Sequence, residues 1–239
     1  MKAKYITLPK LSPYIDFKKY KIFKENHKFF IKELSKLVKK KEYKLLDVGC
    51  GNGQLLYQIV KRLSNINCIG TDREFKFIET AKKFKGLKNV HFETLDFYKN
   101  KGLYDFVFCT SVFQIFQEYK KPLNKLLSLV KDGGYIFVDG LFNSHDVEVR
   151  MQYCDNSNKH AKNLWRRDWS QHSIKSIKSF LKNKKLKQIK FKEVPMEKNI
   201  KFNNKIHVNQ YTFRDAKNRN LITNGTNIIL NRKLLIIKK

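Results

Sequence analysis

Asp47 and the alternate glycines Gly49, Gly51 and Gly53 make a D-x-G-x-G-x-G turn, with Cys50 and Asn52 between them. Glycines at alternate positions let the backbone turn tightly and clear away side chains that would hold a ligand off it. The carboxylate ahead of the glycines separates this loop from the dinucleotide fingerprint G-x-G-x-x-G. Asp72, with Arg73 beside it, follows the last glycine by about twenty residues, the interval at which nucleotide-binding α/β folds place an acid that accepts from both ribose hydroxyls. The same carboxylate could instead cap the helix that follows.

These residues need strands and helices to bring them together. Lys44 to Val48 reads as a buried strand, and Leu55, Leu56, Ile59, Val60 and Leu63 recur at helical spacing after the glycines. A helix beginning at Gln54 would turn its unpaired N–H groups and positive dipole end toward a polar ligand. Further strands are expected at 67–72, 89–93, 104–109 and 135–139, with helical patterns between them and a turn at Asp132-Gly133-Gly134. Successive βα units imply a parallel sheet with helices on both faces, and a ligand outside the carboxyl ends of the strands. Gly49, Asp72, Asp96 and Thr110 all fall at that edge.

The first turn, the acid at Asp72 and the later landmarks come in the order found in class I S-adenosylmethionine-dependent methyltransferases, which this chain resembles. The resemblance implies S-adenosylmethionine as cofactor and assigns Asp47, Gly49, Cys50, Gly51, Asn52 and Gly53 to its loop. It gives Asp72 to the ribose, with Arg73 beside it in the cofactor site, Asp96 to the adenine amino group, Phe97 to the ring face, and Thr110 and Ser111 to the polar segment delivered by strand four. Many members carry histidines about where Gln114 and Ile115 stand. The implied fold is a Rossmann-like, doubly wound, mostly parallel seven-stranded sheet with an antiparallel last strand, an N-terminal helix and an insertion after strand five. Residues 1–43 would be an extension and amphipathic helix packed on the core, 44–139 the cofactor-binding core, and 140–239 the insertion, a hairpin and the final strands of the same domain.

Methyl transfer to an oxygen or nitrogen of a small metabolite or sugar-containing precursor is the reading that follows. Asp139, His145, His160 and His172 are candidate bases, with no choice among them. RNA methylation and a non-catalytic binding protein of the same fold stand as alternatives. The segment Cys109-Thr110-Ser111-Val112 lacks the N/D-P-P-Y/F pattern of exocyclic-amine base methylation.

Composition bounds these readings. The 239 residues are 41% hydrophobic and 13% aromatic, enough for a sizeable core. Without the apolar run of a signal peptide or membrane span, the chain is expected in the cytoplasm. Cys50, Cys68, Cys109 and Cys154 are scattered, which points to neither a zinc site nor a disulfide framework. The net charge of +30, from 51 Lys+Arg and 21 Asp+Glu, suggests RNA or an anionic membrane as partner. Lysine, asparagine, isoleucine and phenylalanine are abundant together, however, arginine is scarce, and the lysines run along the whole chain. Codon bias is therefore the preferred explanation, with a small molecule as acceptor and the oligomeric state open.

At the ends, residues 1–13 read as an extended lead-in. Tyr20, Phe23, Phe30, Leu34 and Leu37 mark one amphipathic helix from Asp16 to the lysines at 39–41. Residues 141–168 read as a long polar connection bearing His145, Tyr153, Trp165 and Arg166-Arg167. A helix at 173–181, a strand at 186–194, a hairpin from 210–213 and 221–223, and a last strand at 228–237 complete the chain.

Overall fold

The computed structural model describes residues 17–39, 41–154, 165–196, 199–201, 211–223, 229–230 and 232–239. The lead-in at 1–13 and the candidate base His160 lie outside them. The described strands are β1 (Tyr43–Val48), β2 (Ile66–Asp72), β3 (His91–Thr94), β4 (Tyr104–Thr110), β5 (Val130–Asn143), β6 (Val149–Tyr153), β7 (Arg166–Ser173), β8 (Gln188–Glu193), β9 (Tyr211–Arg214), β10 (Asn220–Thr223) and β11 (Arg232–Lys238). The helices are α1 (Glu25–Ser35), α2 (Gln54–Val60), α3 (Phe75–Lys83), α4 (Lys120–Leu129) and α5 (Ile174–Lys182).

Among the described residues the main sheet has nine strands rather than the expected seven, in the order β3-β2-β1-β4-β5-β11-β8 with β7 and β6 added beside β5. Strands β1 to β5 are parallel, and β11 enters antiparallel between β5 and β8. The expected doubly wound sheet with an antiparallel last strand is therefore present. Strand alternation produces its two layers: Leu45, Phe106, Phe108, Phe137 and Ile236 face a core shared with Phe30 and Leu34 of α1, Leu56 and Ile59 of α2, and Ile78 and Ala81 of α3. Leu46, Val107, Cys109, Ile136, Val138 and Leu235 face the other way, against Leu123 and Leu126 of α4 and Ile177 and Leu181 of α5.

Three further expectations are corrected. The helix foreseen from Asp16 is in fact two pieces, a 3-10 turn at Phe17–Lys21 and then α1. The carbonyls of Tyr20 and Ile22 accept from Gln58 Nε2 at 2.7 Å and Gln54 Nε2 at 3.2 Å, so α2 takes acceptors that a continuous helix would have used itself. The turn at Asp132-Gly133-Gly134 lies within β5, which starts at Val130 opposite Tyr104; Gly133 takes φ +78° and donates to the Lys239 carbonyl at 2.9 Å. The connection after strand five carries structure, since β6 and β7 form an antiparallel pair and His172 of β7 lies opposite Phe142 of β5. The hairpin is the antiparallel pair β9–β10, a separate small sheet. Among the described residues no helix is long and apolar enough to cross a membrane.

Candidate functional site

The carboxyl ends of β1, β2, β3, β4 and β5 share one edge of the sheet because these strands are parallel. The glycine loop leaves β1 with Gly49, Gly51 and Gly53 at φ +78°, +56° and +79°, the left-handed region where only glycine is free of a Cβ penalty. A Cβ on Gly49 would lie 2.4 Å from Val112 Cγ2, and one on Gly53 2.9 Å from the Phe92 ring, whereas one on Gly51 would meet nothing within 4 Å. Two of the glycines therefore serve packing, and Gly51 presents bare backbone to open space.

The loop's N–H groups are turned inward. Gly49 and Cys50 donate to the Thr71 carbonyl at 2.7 and 2.9 Å, Gly53 donates to the Cys50 carbonyl at 3.0 Å, and Gly51 donates to Asp72 Oδ2 at 2.8 Å. Asp72 Oδ1 accepts from the Glu74 amide at 2.9 Å. Asp72 thus ties the loop to the start of α3, which combines the capping reading with a place at the ligand edge. Arg73 is exposed beside it.

Asp47 continues the row of Leu45 to the end of β1. It is 1% exposed, and neither carboxylate oxygen has a hydrogen-bond partner among the described residues. Burial, reinforced by the negative charge of Asp72, pushes its pKa up to about 8. Burial likewise raises Asp72, against the pull of its two backbone donors. This end of the sheet holds two acids and favours a cation.

Asp96 is exposed and caps the turn Phe97–Lys99 by accepting from the Tyr98 amide at 2.9 Å. Phe97 is half-buried and packs edge-on to Phe116, with ring centroids 4.8 Å apart. Asn100, which sequence reasoning passed over, holds this loop in place. Its side chain accepts from Thr71 Oγ1 at 2.9 Å and donates to the carbonyls of Asp96 and Phe97 at 3.3 and 3.0 Å. A buried Asn after an acidic turn is the sole sequence signal it leaves.

Tyr20 is a second residue the sequence did not assign to the site. It is fully buried, stacks on Phe84 with centroids 3.9 Å apart, and donates from its hydroxyl to the carbonyl of Asn52 in the glycine loop. The N-terminal segment therefore straps the loop from outside.

Beyond β4 the chemistry changes sign. Thr110 lies opposite Asp139 in the sheet, and Ser111 follows with φ +59°. The amide and hydroxyl of Ser111 donate to Asp139 Oδ2 at 3.2 and 3.1 Å. Arg232 Nε donates to Asp139 Oδ1 at 2.7 Å, and Arg232 Nη2 donates to both Asp139 Oδ2 and Ser111 Oγ, the latter at 2.7 Å. His27 of α1 is 7% exposed with Nδ1 unpartnered among the described residues, and burial, with Lys24 and Arg232 nearby, lowers its pKa to about 3.

The candidate bases are not gathered. His172 is 0% exposed, wedged between the Phe113 and Tyr119 rings, with Nδ1 3.1 Å from Glu148 Oε2. His145 is exposed in the loop between β5 and β6. Of the three that are described, Asp139 alone stands at the carboxyl edge among polar partners, and Arg232 engages both of its oxygens. Gln114 is buried with Oε1 unpartnered among the described residues, while Ile115 is exposed.

The chain is similar in sequence and in fold to known proteins. The methyltransferase domain family matches residues 39–169. Malonyl-acyl-carrier-protein O-methyltransferase 1 of Ilyobacter polytropus is 33% identical over 114 residues, 46% of this chain and 42% of that protein. Trans-aconitate 2-methyltransferase of Deinococcus radiodurans is 24% identical over 133 residues, 55% of this chain and 51% of that protein. The chain thus spans about half the length of the curated relatives it matches. In fold it is similar to magnesium protoporphyrin IX methyltransferase from Synechocystis PCC 6803 solved with bound SAH, with TM-score 0.55 at 16% identity over 90% of this chain and 82% of that one. The match covers more than half of the sequence and includes the glycine loop, Asp72, Asp96 and Ser111; the chain belongs to the methyltransferase domain family, among the class I S-adenosylmethionine-dependent methyltransferases.

Proposed function

We propose that this chain binds S-adenosylmethionine at the carboxyl edge of β1 to β4 and directs its methyl group to an oxygen or nitrogen of a small acceptor. The observation that carries this reading is Asp47, a buried carboxylate with no donor among the described residues, on the strand that leads into the loop where Gly51 leaves open space. An orphaned acid of this kind is costly unless a cation meets it. The cofactor supplies a methyl group already activated on a sulfonium, together with an ammonium group. Asp47 would hold a positive group, Asp72 would keep the loop shaped and offer its remaining lone pairs to a ribose, and Phe97 would pack against the base. Asp96 is exposed at the mouth and available to an adenine amino group.

Alignment in a water-poor cleft accounts for much of the rate in such a reaction, and Ser111 and Asp139 mark the side from which the acceptor would approach. Residues 44–139 would then form the cofactor half, and 140–239 the acceptor half of the same domain. A relative named for O-methylation of malonyl-acyl-carrier protein and one named for trans-aconitate support an oxygen-bearing acceptor.

Calorimetric titration with S-adenosylhomocysteine, NAD and a short RNA tests the reading. Micromolar binding of S-adenosylhomocysteine alone is expected. Failure to bind it, or binding of NAD in its place, would overturn the assignment, and salt-sensitive RNA binding would move the acceptor to RNA.

A further inference from the structure

The site is bipolar. The β1–β2 end carries Asp47 and Asp72, whereas the β5–β11 end carries Arg232, with His27 of α1 and Lys24, just ahead of that helix, nearby. We propose that Arg232 is the anchor for a carboxylate of the methyl acceptor, so that the substrate is an organic acid held by its anionic end. This rests on the site being a methyltransferase centre.

Topology puts the guanidinium there. Because β11 runs antiparallel, its first residue arrives at the carboxyl end of β5, where Arg232 lies opposite Leu141 and its side chain reaches diagonally to Asp139. Asp139 engages Nε and Nη2, and Ser111 Oγ accepts a further bond from Nη2. These bonds fix the plane of the fork and leave Nη1 outside them. The side chain is 22% exposed while its partner Asp139 is 1% exposed, so Arg232 is the more accessible member of the pair.

A stitch between β5 and β11 would need less than this. A buried ion pair gains little over a well-packed apolar pair, since desolvation offsets the attraction. Here the pair also recruits Ser111, a non-glycine residue in the left-handed region on the segment that strand four delivers to the site. Strain of that sort persists where surrounding contacts over-determine it, often at ligand clamps.

The surrounding charges agree. Lys24 and Arg232 both act on His27 as positive charges, while Asp139 is paired with Arg232. The imidazole stays neutral across the physiological range because burial and both cations disfavour its protonation. Its buried Nδ1, unpartnered among the described residues, can in the N–H tautomer donate one more hydrogen bond. Glu33, further along α1, is engaged by Lys36 and Lys192 and leaves this balance unchanged. Asp139 and Ser111 take Nε and both N–H groups of Nη2, so an incoming carboxylate would accept from the two N–H groups of Nη1, whereas phosphate sites commonly gather several cations or backbone donors.

The test uses full-length protein saturated with S-adenosylhomocysteine and titrated with malonate, trans-aconitate, dimethyl malonate and inorganic phosphate. At least one of the two acids is expected to bind the wild type, and dimethyl malonate is not. In the double variant Arg232→Met/Asp139→Asn, which leaves no buried unpaired charge, acid affinity should fall about 10- to 100-fold, the worth of charge-assisted hydrogen bonds. Arg232→Lys should fall between, because it keeps charge and loses the fork. Affinity for S-adenosylhomocysteine should stay within about threefold in both variants, which separates loss of the anchor from loss of the fold.

Equal acid binding in the double variant, no binding of either acid to the wild type, or phosphate binding more tightly than both acids would overturn the proposal. If S-adenosylhomocysteine itself fails to bind the wild type, the methyltransferase reading falls and this one falls with it.

Discussion

Asp47→Asn separates a carboxylate that receives a cation from one that merely fills the end of β1. In the free protein burial keeps Asp47 protonated up to about pH 8, with Asp72 adding to the effect. A cation placed against it displaces that proton, so binding should release about one proton and tighten as pH rises toward that value. Between about pH 5.5 and about pH 7.0, at ~1.4 kcal/mol per unit, the gain is ~2 kcal/mol, or roughly 30-fold in affinity.

Calorimetry with S-adenosylhomocysteine in two buffers of different ionisation enthalpy measures both the affinity and the proton count. In Asp47→Asn the released proton should vanish, the pH slope should flatten, and affinity at about pH 7 should drop. Stability should move the opposite way. A carboxyl whose folded pKa is raised costs nothing below its unfolded pKa, and then destabilises the fold by ~1.4 kcal/mol per pH unit until the folded pKa is reached. Asn lacks this cost, so the variant should melt higher than the wild type near pH 8. An affinity that is flat with pH in the wild type, with no proton released, would refute the reasoning.

Other perturbations follow from the same edge. Tyr20→Phe keeps the stacking on Phe84 but removes the hydroxyl's bond to the Asn52 carbonyl, at a cost of about 0.5–1.5 kcal/mol in urea unfolding. It should also weaken cofactor binding, because the strap holds the loop; unchanged affinity would make the strap purely structural. Gly51→Ala should fold, with a penalty of about 1–2 kcal/mol from the left-handed φ alone, and lose affinity for S-adenosylhomocysteine. Gly49→Ala should instead destabilise the fold more severely, since its Cβ meets Val112 at 2.4 Å. Thermal melts and titrations of the two variants side by side check that contrast.

The sequence by itself determined the parallel core, the glycine loop and the order of the acids. Strand period, helical period and glycine spacing are local signals that a single stretch carries. It could not determine that Asp72 and the Thr71 carbonyl would take up the loop's own N–H groups, because those partners depend on how β1 and β2 lie in register. Nor did periodicity reveal the break before α1: Tyr20 and Phe23 satisfy a helical pattern, and only Gln54 and Gln58, reaching from α2 to carbonyls of the segment before α1, show where the helix stops.

Ser111, Asp139 and Arg232 belong to three strands or their ends, with Arg232 separated from Asp139 by most of the second half of the chain. Tertiary structure alone decided their meeting, because an antiparallel last strand brings its first residue, rather than its last, to the edge where the parallel strands end.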